Sequence, residues 1–314
     1  MKKYLTCLLV FVLAATLIGC RSEGYNLGAP VSVIRIGIMP DVESIPLLIA
    51  DVNGYFAEAG ADVQLELFRS ARDRDSALQS ELLDGVVTDM IAVFFANEGG
   101  FPLQIIASTD GTIFLLAERD SAAKNINDIQ SKSVGLSTNT VMEYTLDAMM
   151  KQAGLPGSAV NKIAIPQIPT RMEMLQNGQV DLAMLPEPWA GLAIQNGAKI
   201  VMTTQELGHK PGVIAFRESM VASNPDAIRA IFQAYDRAVE FLNHNDPSVY
   251  IDLVIEQLSF PAETKTTLQI PFYYPARIPE EAVFYLVQDW LKEKNLLQND
   301  WSYDQIVDQD FLKE

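Results

Sequence analysis

Four acids and one run of polar residues carry most of the chemical potential of this sequence. Asp41, Asp89, Asp110 and Glu187 each follow or close a short apolar stretch, where a carboxylate can balance a cationic ligand. Ser137-Thr138-Asn139-Thr140 places four polar side chains ahead of a helical pattern. Capping a helix needs only one of them, so the surplus, with the free amides of the first turn, can receive an anionic or carbonyl group. Ser44, Ser70 and Thr109 occupy similar loop positions, and Trp189 can stack on a ring. Each has a plainer alternative: Ser44 as a helix cap, Asp110-Gly111 as a turn, Trp189 as core. Arg69, Arg72 and Arg74 intersperse with Asp73 and Asp75, the pattern of a solvated helix face, and are assigned there rather than to an anion clamp. The balance is four carboxylates and no cation, which favours an amine or aminopyrimidine ligand over nitrate or a sulfonate. The amides at Thr138–Thr140 pull the other way.

Other chemistries find no support. There is no GxxxxGK[ST] phosphate loop, GxGxxG turn, GxSxG elbow or HExxH pair. His209 and His244 are the only histidines, too few for a three-His zinc site, and Cys7 and Cys20 are the only cysteines. No metal and no cofactor are expected.

The candidate residues are organised by an internal repeat. Ala77–Val93 (ALQSELLDGVVTDMIAV) and Met174–Trp189 (MLQNGQVDLAMLPEPW) both read as a helix carrying Leu-Gln, an Asp, and a short apolar strand ending near an acid. A separation of about 100 residues is too long for a solenoid, so the repeat predicts two lobes of similar build. The first lobe is predicted as strands at Ser32–Met39, Asp62–Phe68, Val86–Val87 and Leu103–Ser108. Between them lie helices at Leu47–Ala59, from Ser70 to Leu83 and near Ala92–Glu98. The second repeats the order, with strands at Ser133–Leu136, Ile163–Ile168, Leu182–Leu185 and Lys199–Met202. Its helices run to Ala153, over Thr170–Gln176 and over Trp189–Gln195. Such alternation indicates mainly parallel sheets covered on both faces, with ligands held beyond the carboxyl ends of the strands. Val213–Phe216 then crosses back, and helices at Asp226–His244, Pro247–Leu258, Glu263–Gln269 and Pro279–Glu293 form a tail. Its apolar faces need the first lobe to pack on.

A chain of 314 residues, 49% hydrophobic with a formal charge of −17, suits about two domains and does not suit a nucleic-acid surface. Met-Lys-Lys and an apolar run to Ile18 read as a signal peptide over residues 1–19. Leu17-Ile18-Gly19-Cys20 resembles the bacterial lipobox, making Cys20 the expected lipid-anchored N-terminus. Residues 20–31, with Gly24, Gly28 and Pro30, read as a flexible tether. Lobe 1 is then expected over 32–116 and 212–314, and lobe 2 over 117–211.

Ile34-Arg35-Ile36-Gly37-Ile38-Met39-Pro40, the helix ending Asn53-Gly54-Tyr55-Phe56, and Gly178-Gln179-Val180-Asp181 with Pro186-Glu187-Pro188 together resemble the extracytoplasmic solute-binding proteins of ABC importers. The similarity spans about Ile34 to Met202 and is greatest to the nitrate, taurine, alkanesulfonate and thiamine-pyrimidine-precursor (NMT1/THI5-like) group. That resemblance implies an α/β, two-lobed periplasmic-binding-protein-like fold of type II. Two crossover segments would join the lobes, here near Leu116–Arg119 and Lys210–Ala215, and a hinged cleft would lie between them. It also implies a small polar residue against the ligand at Ser70. The expected role is capture of a small-molecule solute for a permease and its ATPase, by a monomer on the outer membrane face, without catalysis. Alternatives of the same fold are an enzyme of thiamine-pyrimidine or menaquinone biosynthesis and a ligand-sensing partner of a membrane receptor.

Overall fold

The central strands are buried along all or nearly all of their length rather than on alternate residues, as in sheets covered on both faces. The computed structural model describes residues 33–312. The expected signal peptide, Cys20 and the tether lie outside the described residues. Within the described residues, which belong to one compact unit, the strands are β1 (Ile34–Ile38), β2 (Val63–Leu67), β3 (Gly85–Asp89), β4 (Leu103–Ser108) and β5 (Ile113–Ala117). They continue as β6 (Ser133–Leu136), β7 (Asn161–Ala164), β8 (Leu182–Pro186), β9 (Lys199–Thr203) and β10 (Gly212–Arg217).

Two five-stranded sheets share one plan, β2-β1-β3-β10-β4 and β7-β6-β8-β5-β9. In each, the strand entering from the other lobe is the antiparallel one: β10 lies between β3 and β4, and β5 between β8 and β9. Both carry a register shift, at Ile214/Ala215 and at Leu115/Leu116. β5 therefore belongs to the second sheet, which corrects the expected position of the first crossover. The chain crosses at 109–112, between β4 and β5, and Leu116–Arg119 is already in or beyond β5. The alternation argument missed β5 because all but one of its residues are buried, so it shows no period of two. The return crossing is 204–211, leading into β10.

Each sheet is the middle of three layers. Val87, Ile214 and Phe216 face one core with the helices Ile45–Val52 and Pro225–His244. Val86, Val213 and Ala215 face another with Met90–Glu98 and Glu281–Glu293. In the second lobe, Ile168–Gln176 and Trp189–Gln195 cover one face and Val141–Gln152 the other. The tail packs on the first sheet because Pro225–His244 buries Ile228, Ile231, Phe232, Tyr235, Val239 and Leu242, a stripe of helical period.

Some boundaries differ from the sequence expectation for local reasons. The predicted Leu47–Ala59 helix is two helices, Ile45–Val52 and Tyr55–Ala59, broken where Gly54 has φ 73°, a conformation that favours glycine. The predicted strand Ile163–Ile168 ends at Ala164, and Ile168 opens a helix. Glu263–Gln269 is a short 3-10 turn, Ala262–Thr266. The Asp shared by the two repeats has the same job in both lobes. Asp84 accepts from the Arg35 amide at 2.9 Å and Asp181 from the Ser133 amide at 2.8 Å, bracing the foot of the neighbouring strand.

Candidate ligand-binding site

The carboxyl ends of both sheets face a shared cavity of about 70 Å³. One water needs roughly 10–15 Å³ on this measure, so the space suits a few waters or a small solute. Its first-lobe wall is the loop after β1, the start of the Ala71–Gln79 helix and the end of β3. Its second-lobe wall is Ser137, Thr140–Met142, Pro166, Ile168, Arg171 and Pro186, and the two crossings contribute Gly111–Ile113 and Lys210–Gly212.

A buried arginine projects into each wall. Arg74 donates through Nη1 to the Val87 carbonyl at 2.9 Å and through Nη2 to Thr88 Oγ1 at 2.7 Å. Arg171 donates through Nη1 to the Met184 carbonyl at 2.7 Å, and through Nε and Nη2 to those of Ile165 and Pro166. In each lobe the arginine reaches the strand carbonyl 13 residues further on. A glycine in the adjacent strand makes room for each stem. A Cβ at Gly37 would lie 3.2 Å from Arg74 Cγ, and one at Gly135 would lie 3.4 Å from Arg171 Cγ. These positions correspond under the internal repeat.

Their electrostatics differ. Burial works against the Arg74 charge, but Asp75 at 2.8 Å, with Asp89 and Asp41 nearby, more than offsets it and holds the guanidinium above its ordinary value. Arg171 has carbonyl partners only, and burial pushes it down to about 9; it remains a cation at neutral pH. Asp41, Glu43 and Asp89 all line the first-lobe side or its junction with the crossings. Burial raises all three, and the Asp41 charge adds to the rise at Glu43. The two walls thus carry opposite unbalanced charge.

The expected site residues divide between cavity and framework. Asp41, Asp89, Ser137 and Thr140 line the cavity. Asp89 and Thr140 also cap helices, accepting from the amides of Ala92 and Met142. Ser44 donates to Asp41 Oδ1 at 3.2 Å and accepts from the Met39 amide, so it orients Asp41 from outside the cavity. Ser70 is spent on capping the Ala71–Gln79 helix. Thr109 donates to Glu43 Oε1 at 2.5 Å. Asp110 faces away from the cavity, held by Arg277 at 2.5 Å and the Tyr274 amide at 2.9 Å. Thr138 and Asn139 are exposed, and the Asn139 amide is taken by Glu143.

Glu187 and Trp189 lie behind the second-lobe wall rather than in it. Glu187 Oε2 accepts from the Gly191 amide at 3.2 Å, Oε1 is buried with no hydrogen-bond partner among the described residues, and burial pushes the carboxyl up to about 7. Trp189 Nε1 donates across the lobes to the Pro40 carbonyl at 3.0 Å. On the other flank Tyr144 bonds His209 at 2.8 Å, and Trp290 donates to Asp147 at 3.0 Å. Lys294 pairs with Glu143, which also holds Lys162 at 3.0 Å. The lobes therefore touch on both sides of the cavity.

Glu43, Arg74, Arg171 and Lys210 line the cavity but were not among the expected site residues. The assignment of Arg74 to a solvated face is corrected: it is 3% exposed, whereas Arg69 and Arg72 are exposed. With it falls the count of four carboxylates against no cation. A signal was present, since both repeats read Arg-x-x-x-Leu-Gln, at Arg74–Gln79 and Arg171–Gln176, and a comparison begun at the Leu-Gln pair stops short of it. Glu43 left no such mark.

Comparison with known proteins agrees with this architecture. The family model described as NMT1/THI5 like matches residues 41–248. A Brachyspira hyodysenteriae protein, provisionally named an ABC transporter periplasmic binding protein, is 21% identical over 264 residues, covering 79% of this chain and 75% of its own. The aliphatic sulphonate binding protein SsuA of Escherichia coli superposes with a TM-score of 0.76 at 18% identity, over 90% of this chain and 93% of that one. The desulfurization enzyme DSZB shares the fold at a TM-score of 0.67 and 15% identity, over 90% and 97% of the two chains. Among the described residues no helix is long and apolar enough to cross a membrane.

Proposed function

The chain belongs to the NMT1/THI5-like family, and from that premise we propose that it is the solute-binding component of an ABC import system. It captures a small solute in the interlobe cavity, closes, and presents it to a permease, with no chemical step. The solute is read as a small zwitterion, its ammonium against Asp41 and Asp89 and its oxyanion against Arg171, Ser137 and Thr140. The observation that carries this reading is the unlike, unbalanced charge on the two walls. A solute bearing both charges is held by both lobes at once, and only such a difference in affinity between open and closed forms shifts the population toward closure. The amine expected from the sequence is kept in part, with an anionic group added opposite Arg171. Arg74 is already matched by Asp75, and Lys210 lies near Glu43, so neither asks for a ligand charge. Residues 32–116 with 212–314 and 117–211 are the proposed lobes, the first boundary moved back to 112. Cys20 is the proposed lipid anchor and a monomer the proposed state.

Calorimetry on the full-length protein in detergent tests the solute class. 2-Aminoethanesulfonate is expected to bind at least about tenfold more tightly than ethanesulfonate or ethylamine, a difference of about 1.4 kcal/mol. Equal affinity for ethanesulfonate would remove the ammonium subsite, and no heat with any of the three would overturn the class.

A further inference from the structure

Glu43 occupies an unusual place. Its side chain comes from the loop after β1, lines the cavity, and ends between the two segments by which the chain crosses from lobe to lobe. Both segments have glycine where they meet it. A Cβ at Gly111 would lie 2.6 Å from Glu43 Cγ and Cδ, and a Cβ at Gly212 would lie 2.4 Å from Glu43 Oε1. Such distances are well inside van der Waals contact, so a larger residue at Gly111 would displace the carboxyl, and one at Gly212 would displace both it and Thr109 Oγ1, which that Cβ would meet at 2.3 Å. Thr109, at the head of the first crossing, fixes Oε1 by its 2.5 Å hydrogen bond.

The backbone of the same loop is held from two sides. Tyr273 of the tail donates its hydroxyl to the Val42 carbonyl at 2.7 Å, and Trp189 of the second lobe donates to Pro40. Glu43 thus projects from an anchored loop, while the segments around it are the ones whose backbone must turn when the lobes move.

We infer that Glu43 is a positioning residue that couples solute occupancy to lobe closure, acting as a wedge between the two crossings that a bound solute presses into register. The inference rests on the reading of the cavity as a solute site, but its steric half can be tested without any solute. The Gly111→Ala variant should lower Tm, and adding Glu43→Ala should restore it, because the new methyl fills space the carboxyl has left. In ligand-free full-length protein, Glu43→Ala alone should speed amide exchange at 109–113 and 210–214 by about tenfold, while exchange at 137–144 stays as in the wild type. With saturating 2-aminoethanesulfonate, the wild type should gain protection at both crossings and at 137–144, whereas Glu43→Ala should gain it only at 137–144.

Additive effects of the two substitutions on Tm, or unchanged exchange at the crossings in Glu43→Ala, would overturn the wedge. Full protection of the crossings by solute in that variant would overturn the coupling. Should Glu43→Ala fail to fold, Gly111→Ala decides alone: faster exchange confined to the crossings supports the inference, and a uniform rise across the protein opposes it. Failure of 2-aminoethanesulfonate to bind the wild type would sink the proposed solute class. The ligand-free measurements would then decide the wedge by themselves.

Discussion

Arg74 and Arg171 are the same residue in two copies of one structural unit, yet they do different work. Each leaves a helix, passes a strand glycine and donates to a carbonyl 13 residues on. Around Arg74 stand three acids to one guanidinium: Asp75 pairs with it directly, and Asp89 and Asp41 are offset by it only in part. Around Arg171 there are only carbonyls. Repetition of a backbone unit thus kept the geometry of a side chain without its electrical surroundings: one arginine pairs with an acid, and the other lines the cavity with hydrogen bonds to carbonyls.

Substituting both arginines by Met should separate the two roles. Arg74→Met leaves buried acids without their cation and should cost about 3–5 kcal/mol of stability by chemical denaturation. Arg171→Met removes a buried charge whose partners are carbonyls rather than acids. It should cost only about 1–2 kcal/mol, for the carbonyl bonds lost, while weakening solute binding by at least about 100-fold. A larger stability loss for Arg171→Met than for Arg74→Met would break the comparison.

The acids of the first-lobe wall give a pH signature. Glu43, facing Asp41, Asp89, Lys210 and Thr109, is raised by burial from 4.5 to about 8. A raised carboxyl favours the folded state while protonated, so its contribution is complete below about pH 4.5 and is lost as pH rises toward 8. Wild-type Tm should fall across that window more steeply than that of Glu43→Gln, which cannot ionise. Equal slopes would show that Glu43 does not carry the proton. The smallest effect expected is at the strand glycines. A Cβ at Gly37 would meet Leu83 Cδ1 at 2.6 Å, whereas the nearest atom to one at Gly135 is at 3.0 Å. Gly37→Ala should therefore cost about 1–3 kcal/mol and Gly135→Ala less than about 1, measured by thermal melts.

The repeat was legible because Leu-Gln, Asp and the apolar strand recur in order, and with it came two lobes and the cleft between them. Asp41, Asp89, Ser137 and Thr140 were legible because strand ends and helix starts mark the rim of a parallel sheet. Ser70, Asp110 and Glu187 carry the same marks and were taken up by a cap, by Arg277 and by Gly191 instead. Sequence position says that a polar residue is near the rim, but its partner comes from another part of the chain. Arg277 lies 167 residues from Asp110.

By itself, then, the sequence determined most of the elements and the two-lobed plan, since these depend on local periodicity and on turn and cap residues close along the chain; β5, buried on nearly every residue, left no period to read. Only the tertiary structure decided which charges face the cavity. Arg74 on a helix dotted with acids looks solvated until Gly37, from a different strand, opens the space that buries it. Glu43 looks like any loop acid until Gly111 and Gly212 close around it. Burial is set by what lies opposite in space, and that is decided by how distant segments meet.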